Sequence, residues 1–243
     1  MSSDFRDADQ SWQHRAPTGA AGIGVDAGLR QFMLQVYNFM AAGLALTGLV
    51  AYGAIVTGFY QLIAGTPLIW LVILAPLGLV MWLSFRIDRM SAGAAQAAFW
   101  FYAGLMGLSL AGIFLVFTGA SIARVFFITA ATFAATSLYG YTTRRDLSRF
   151  GSFLFMGLIG VIIAAVVNIF LHSTALQMTI SVMGVIVFTG LAAYDTQRIR
   201  AMYVYGEDGT VTTKKAIYGA LALYLDFVNL FISLLQLTGD RRR

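Results

Sequence analysis

No cysteine occurs anywhere in the 243 residues, so disulfides and thiolate metal sites are excluded. Charge is scarce too. Only 11% of residues are Asp, Glu, Lys or Arg, where a soluble domain carries about 25%. A phosphate-cradling glycine loop, HExxH and GxSxG are all missing, so nothing argues for an enzyme. What fills the chain is apolar: 59% of residues are hydrophobic and the mean hydropathy is +0.77. That is the composition of an integral membrane protein. The net charge of +5 does not mark a nucleic-acid binder. Its basic residues fall in short groups between apolar runs, which is a pattern of membrane topology.

A helix needs about 20 apolar residues to cross a bilayer. Seven runs qualify, at 32–58, 66–86, 95–118, 122–142, 151–173, 176–197 and 215–237. The connections between them are short and leave no room for a soluble catalytic domain. Residues 1–31 are polar and lack apolar periodicity, so a flexible tail is expected there. A cleaved secretory signal has an apolar core of about 7–15 residues after a short basic start. The first run, long and late, reads instead as a span. The predicted organisation is a tail (1–31), a membrane domain (32–239) and a basic C-terminal tail (240–243). Backbone polar groups in lipid must be satisfied internally, so the fold class is an all-α seven-helix bundle. Gly104, Gly107 and Gly112 in the third run are small residues that suit close helix packing.

Orientation follows from Lys and Arg. With the N-terminus and the even-numbered loops on one side, that side holds Arg6, Arg15, Arg30, Arg86, Arg89, Arg144, Arg145, Arg149, Arg198, Arg200, Lys214 and Lys215. The other side holds Arg124, Arg241, Arg242 and Arg243. This imbalance predicts a cytoplasmic N-terminus. The terminal arginines run against the rule. Either the last helix is re-entrant and returns the tail to the cytoplasm, or late charges carry no weight here.

Two acids stand out in this apolar setting. Asp195 lies near the end of the sixth run, and Asp226 lies inside the seventh. A carboxylate in hydrocarbon is costly and marks ion or proton chemistry by default. Asp226, Asn229, Ser233 and Gln236 recur at helical spacing, so they form one polar stripe on an apolar helix. Such a stripe either lines a wet path or makes a hydrogen-bonded seam between helices. Asp195 either pairs with Asp226 or snorkels and pairs with Arg198. Arg86 and, one turn on, Arg89 end the second run and can bridge to a carboxylate at the mouth of the bundle. On the fourth run, Thr129, Thr132, Thr136, Gly140 and Thr143 share a face, read as helix glue. Two carboxylates at one site cannot both ionise cheaply. Sharing a proton, they hold their helices together. Doubly ionised, they offer hard oxygen ligands to Ca2+. Asp195 and Asp226 are therefore the candidate metal ligands as well as the candidate pH sensor.

The strings FTGLAAYDTQRIR (188–200) and LALYLDFVNLFISLLQLTG (221–239) resemble the signatures of the transmembrane Bax inhibitor motif family. The shared core is Tyr194-Asp195-Thr196-Gln197 and Leu223-Tyr224-Leu225-Asp226-Phe227 with Asn229-Leu230-Phe231. The resemblance covers about residues 32–239. It implies a seven-helix fold whose last helix is central, wrapped by the other six. It also implies a pH-sensitive Ca2+ leak sensed by Asp195 and Asp226, with a second-helix arginine, Arg86 or Arg89, latching onto Asp195.

The expected function is thus a pH-sensitive Ca2+ leak in a bacterial inner membrane. No cofactor is expected to be tightly bound. Ca2+ is the permeant ion, the proton is the regulator, and the partners are the lipid bilayer and these ions. Two other readings use the same residues differently. A proton-coupled carrier of a small solute would use the acids as a relay. A scaffold or regulator of a membrane protease would not transport at all.

Overall fold

Apolar runs of this length satisfy their backbones in lipid as helices, and helices dominate the structure. A computed structural model describes residues 18–242. Seven long helices cross the molecule: α1 (Thr18–Val56), α2 (Leu68–Arg86), α3 (Ala92–Leu110), α4 (Gly119–Thr142), α5 (Ser148–Leu171), α6 (Thr174–Ala201) and α7 (Gly209–Thr238). Short helices at Phe59–Ala64 and Ile113–Val116 and a 3-10 turn at Ile87–Arg89 join them. All seven are long and apolar enough to span a bilayer. Hydroxyl side chains start several of them. Ser91, Thr118 and Ser173 accept hydrogen bonds from the backbone N–H groups of Ala94, Ser121 and Leu176, satisfying donors that a helix start leaves free.

The first helix begins earlier than the polar composition of 1–31 suggested. It starts at Thr18, just after Pro17, and its membrane-crossing part is Ala27–Val56. A helix already nucleated by its span propagates at little cost. Phe32 docks this end on Tyr203, ring centroids 5.8 Å apart. Of the tail expected over 1–31, residues 1–17 lie outside the described part.

Helix α7 holds the centre. Of its most apolar stretch, 56% is buried, against 11% for α2 and 6% for α5. It packs on α6, α1, α4 and α3. The expectation of a last helix wrapped by all six others needs correction, because α2 packs chiefly on α3 and α5 on α6. These two stand further out, with large apolar side chains such as Phe153, Ile163 and Trp70 exposed, as a lipid-facing surface requires.

The core around α7 is aromatic. Tyr224 makes edge contacts with Phe99 and Tyr102 of α3, and its hydroxyl lies 2.7 Å from Oγ1 of Thr47 on α1. A buried tyrosine hydroxyl needs such a partner. Of the third-run glycines, Gly107 meets the backbone of Thr47 and Gly112 meets the Tyr60 hydroxyl, while Gly104 faces open space. Close packing thus explains two of the three.

The C-terminal segment also departs from one expectation. Helix α7 runs uninterrupted and is not re-entrant. Its tail pairs with the α3–α4 connection: Arg242 N–H donates to the Val116 carbonyl (2.9 Å), Thr118 N–H donates to the Asp240 carbonyl (3.0 Å), and Arg124 bridges Asp240 (2.9 Å). Arg241 and Arg242 therefore share an end with Arg124, opposite the α4–α5 loop.

Candidate functional site

The site begins with the hairpin of α6 and α7, joined by residues 202–208. Antiparallel packing sets Asp195 of α6 beside Asp226 of α7, and the two carboxyl groups interact directly. Asp226 is 4% exposed, and its Oδ2 has no hydrogen-bond partner. Buried polar oxygens are nearly always paired, so each exception asks for an explanation. Both acids open onto a cavity of about 1130 Å3 between α2, α5, α6 and α7. Leu77 and Val80 of α2 and Phe155 and Leu158 of α5 supply apolar wall.

The rest of the polar stripe faces the same cavity. The Asn229 amide donates to the Leu225 carbonyl and the Ser233 hydroxyl to the Asn229 carbonyl, both at 2.8 Å. Bonding back to their own helix leaves the Asn229 amide oxygen and the Ser233 lone pairs available to the cavity. Gln236 behaves differently. Its Oε1 accepts from Gln177 Nε2 and, at 2.8 Å, from Ser181 Oγ, both on α6. The stripe thus divides into cavity-facing groups and an interhelical seam at its far end.

The cation beside Asp195 is Arg198 of its own helix, which also lies over the Tyr218 ring, 6.0 Å from its centroid. Arg86 and Arg89 are exposed, and neither forms an ion pair with Asp195 or Asp226 among the described residues. Arg86 ends α2, which packs chiefly on α3, while the turn that carries Arg89 touches α7. Arg198 forms no ion pair with Asp195 either among the described residues; its guanidinium reaches the Tyr218 hydroxyl (3.5 Å).

The residues around Asp195 each have separate work. Tyr194 packs on Gly151 of α5, where a Cβ would collide with its ring. Thr196 completes a buried hydroxyl chain, Tyr37–Ser137–Thr196, at 2.6 and 2.8 Å across α1, α4 and α6. Gln197 accepts from Leu147 N–H and donates to the Arg145 carbonyl, both at 2.8 Å, and so pins the α4–α5 loop. In that loop, outside the membrane, hydrogen bonds from Ser148 hold the Asp146 carboxyl below the usual carboxylate range. The threonines of α4 do not act as glue. Thr129, Thr132 and Thr136 bond back to carbonyls of their own helix. Ser137, one residue beyond Thr136, makes the cross-helix contact instead. Its neighbour identities, not its own spacing, decide this, so the sequence carried no signal for it.

Fold and site together define a polytopic helical membrane protein with a carboxylate pair, Asp226 buried and Asp195 half-buried, in the wall of an open-sided cavity. The comparisons with known proteins agree with that class. The family model described as "Inhibitor of apoptosis-promoting Bax1" matches residues 29–243. The protein RP147 of Rickettsia prowazekii is 48% identical over 218 residues, covering 89% of this chain and 92% of that protein. The inner membrane protein YbhL of Escherichia coli K12 is 46% identical over 232 residues, 94% of this chain and 99% of YbhL. A protein of Caulobacter vibrioides is 42% identical over 250 residues, 98% and 100% of the two chains. The chain belongs to the Bax inhibitor-like transmembrane family. None of these three relatives carries an enzymatic name.

Proposed function

We propose that this protein is a pH-sensitive Ca2+ leak whose switch is the Asp195–Asp226 pair. The observation that carries the proposal is the buried Asp226 carboxyl, with one oxygen unpartnered, beside a second carboxyl in the cavity wall. A single shared proton ties α6 to α7, whereas two charges at the same spot repel. Arg198 is the charged group that tempers Asp195. The cavity faces of α2 and α5 contribute no titratable side chain, so the pair and Arg198 dominate the response to protons. Doubly ionised, the pair and the Asn229 oxygen give hard ligands suited to Ca2+. YbhL is named an inner membrane protein, and we assign the same membrane here, with the N-terminus cytoplasmic.

The test is Ca2+ flux into dye-loaded proteoliposomes across about pH 6–8, the range in which a coupled carboxylate pair can titrate. Wild type is compared with Asp195→Asn and Asp226→Asn. Wild-type flux is expected to vary with pH, and either variant is expected to flatten that dependence. No flux above empty vesicles at any pH would turn the assignment toward the carrier or the scaffold.

A further inference from the structure

Asn168, Gln177, Ser181 and Gln236 form a polar cluster at the far end of the cavity, and the carboxylate switch does not use it. The links run across three helices. Ser173 N–H donates to Asn168 Oδ1 (3.0 Å), and Asn168 Nδ2 donates to Gln177 Oε1 (3.0 Å). Gln177 Nε2 and Ser181 Oγ then both donate to Gln236 Oε1. His172, in the left-handed backbone region (φ 48°), turns the chain between α5 and α6, and the Asn168 side chain caps that turn. Asn168 belongs to α5, Gln177 and Ser181 to α6, and Gln236 to α7.

We propose that this cluster is an outer clasp, which closes the cavity at the end bearing the α3–α4 connection and controls entry from that side. The proposal deepens the leak reading and rests on it for the identity of the ion. Gln236 lies ten residues beyond Asp226 on one straight helix, or about 15 Å along its axis. Between them the wall is apolar, with Phe188, Leu191 and Ile232, apart from Asn229 and Ser233. A hydrated ion entering from the outer end meets Gln236 first. Its amide oxygen is a hard ligand of the kind Ca2+ takes, but it accepts from Gln177 Nε2 and shares the single Ser181 hydroxyl proton, which also lies 2.9 Å from the Gln177 carbonyl. The oxygen is free to serve an ion when those donors let go. Opening and ligation are therefore one event. The helix that would give is α5, the least buried of the seven and tied to this cluster through Asn168.

The missing cysteines make the test clean. Asn229 lies on the cavity wall between the clasp and Asp226. An Asn229→Cys variant provides the only thiol in the chain. It is reconstituted and exposed to a membrane-impermeant thiol reagent from the side bearing the C-terminus. Labelling is compared with that in Asn229→Cys/Gln236→Leu and Asn229→Cys/Gln177→Leu. Losing one to two net hydrogen bonds is expected to speed labelling about tenfold. Two clasp variants are used so that a fold defect in one leaves the other as the test, and thermal melting identifies a folded variant. Unchanged labelling in a folded clasp variant overturns the proposal. The assay needs no ion flux, so its outcome is separate from that of the leak itself. Faster labelling, with no Ca2+ flux through the protein that keeps Asn229, would keep the clasp and remove the leak.

Discussion

At Asp226 stability and function pull in opposite directions. Its buried Oδ2 lacks a partner, and an unsatisfied buried polar group costs about 1–3 kcal/mol. Replacing it with an apolar side chain removes that cost, and the cavity beside it leaves room for the larger group. Asp226→Leu removes that cost but leaves the Asp195 carboxyl without its partner, so it is expected to melt close to wild type in detergent, while its flux loses pH dependence. A lower melting point would mean that the carboxyl is a structural keystone. The two acids were legible in the sequence because hydrocarbon makes any carboxylate conspicuous. Arg198 was legible as a candidate partner from its place one helical turn beyond Asp195, beside the other candidates Arg86 and Arg89. Whether Arg86 or Arg198 lies beside Asp195 depends on which helices pack on which, and a linear pattern of apolar runs does not contain that information. Gln177 was missed for a related reason. Its role comes from its meetings with Asn168 and Gln236 on two other helices, which the spacing along its own helix does not show.

Helix packing in this molecule is set by a few close approaches. At Gly140 of α4 an added Cβ would collide with the backbone of Ala193 on α6, and backbone cannot swing aside as a side chain can. Gly140→Ala is expected to destabilise by about 1–3 kcal/mol through forced separation of α4 and α6. Gly104→Ala, where nothing lies within 4 Å, is expected to be neutral or slightly stabilising because alanine favours helix. Paired thermal melts check both, and equal effects would dismiss the contact argument. The sequence treats these glycines alike, since both are small residues in apolar runs. Their difference is tertiary. The spans themselves were readable from run length, although the start of α1 was not. Polar composition hid a helix that starts at Thr18, ahead of its span.

For the whole molecule, the seven candidate spans among the described residues set the start of α1 and the end of α7 on opposite faces. Trypsin acting on the face with the α4–α5 loop should cut at Arg144 and Arg145. From the other face it should reach only the C-terminal arginines and Arg124. Sealed vesicles of each orientation, with an epitope at one terminus, read this directly. C-terminal cleavage from the cytoplasmic face would reverse the assignment. The basic tail that seemed at odds with the charge rule has local company instead. Its Asp240 pairs with Arg124, and its backbone joins residues 116–118.

The central position of α7 carries a consequence for how the protein is made. The most enclosed helix leaves the ribosome after the six others. Its packing partners α1, α3, α4 and α6 must first stand in the bilayer around an unfilled slot, with Asp195 facing lipid or water until its partner arrives. Maturation therefore ends with the threading of a polar-striped helix into a waiting socket. A chain stalled before α7 would present a lone intramembrane acid, the kind of mark by which a quality-control protease could recognise an unfinished protein.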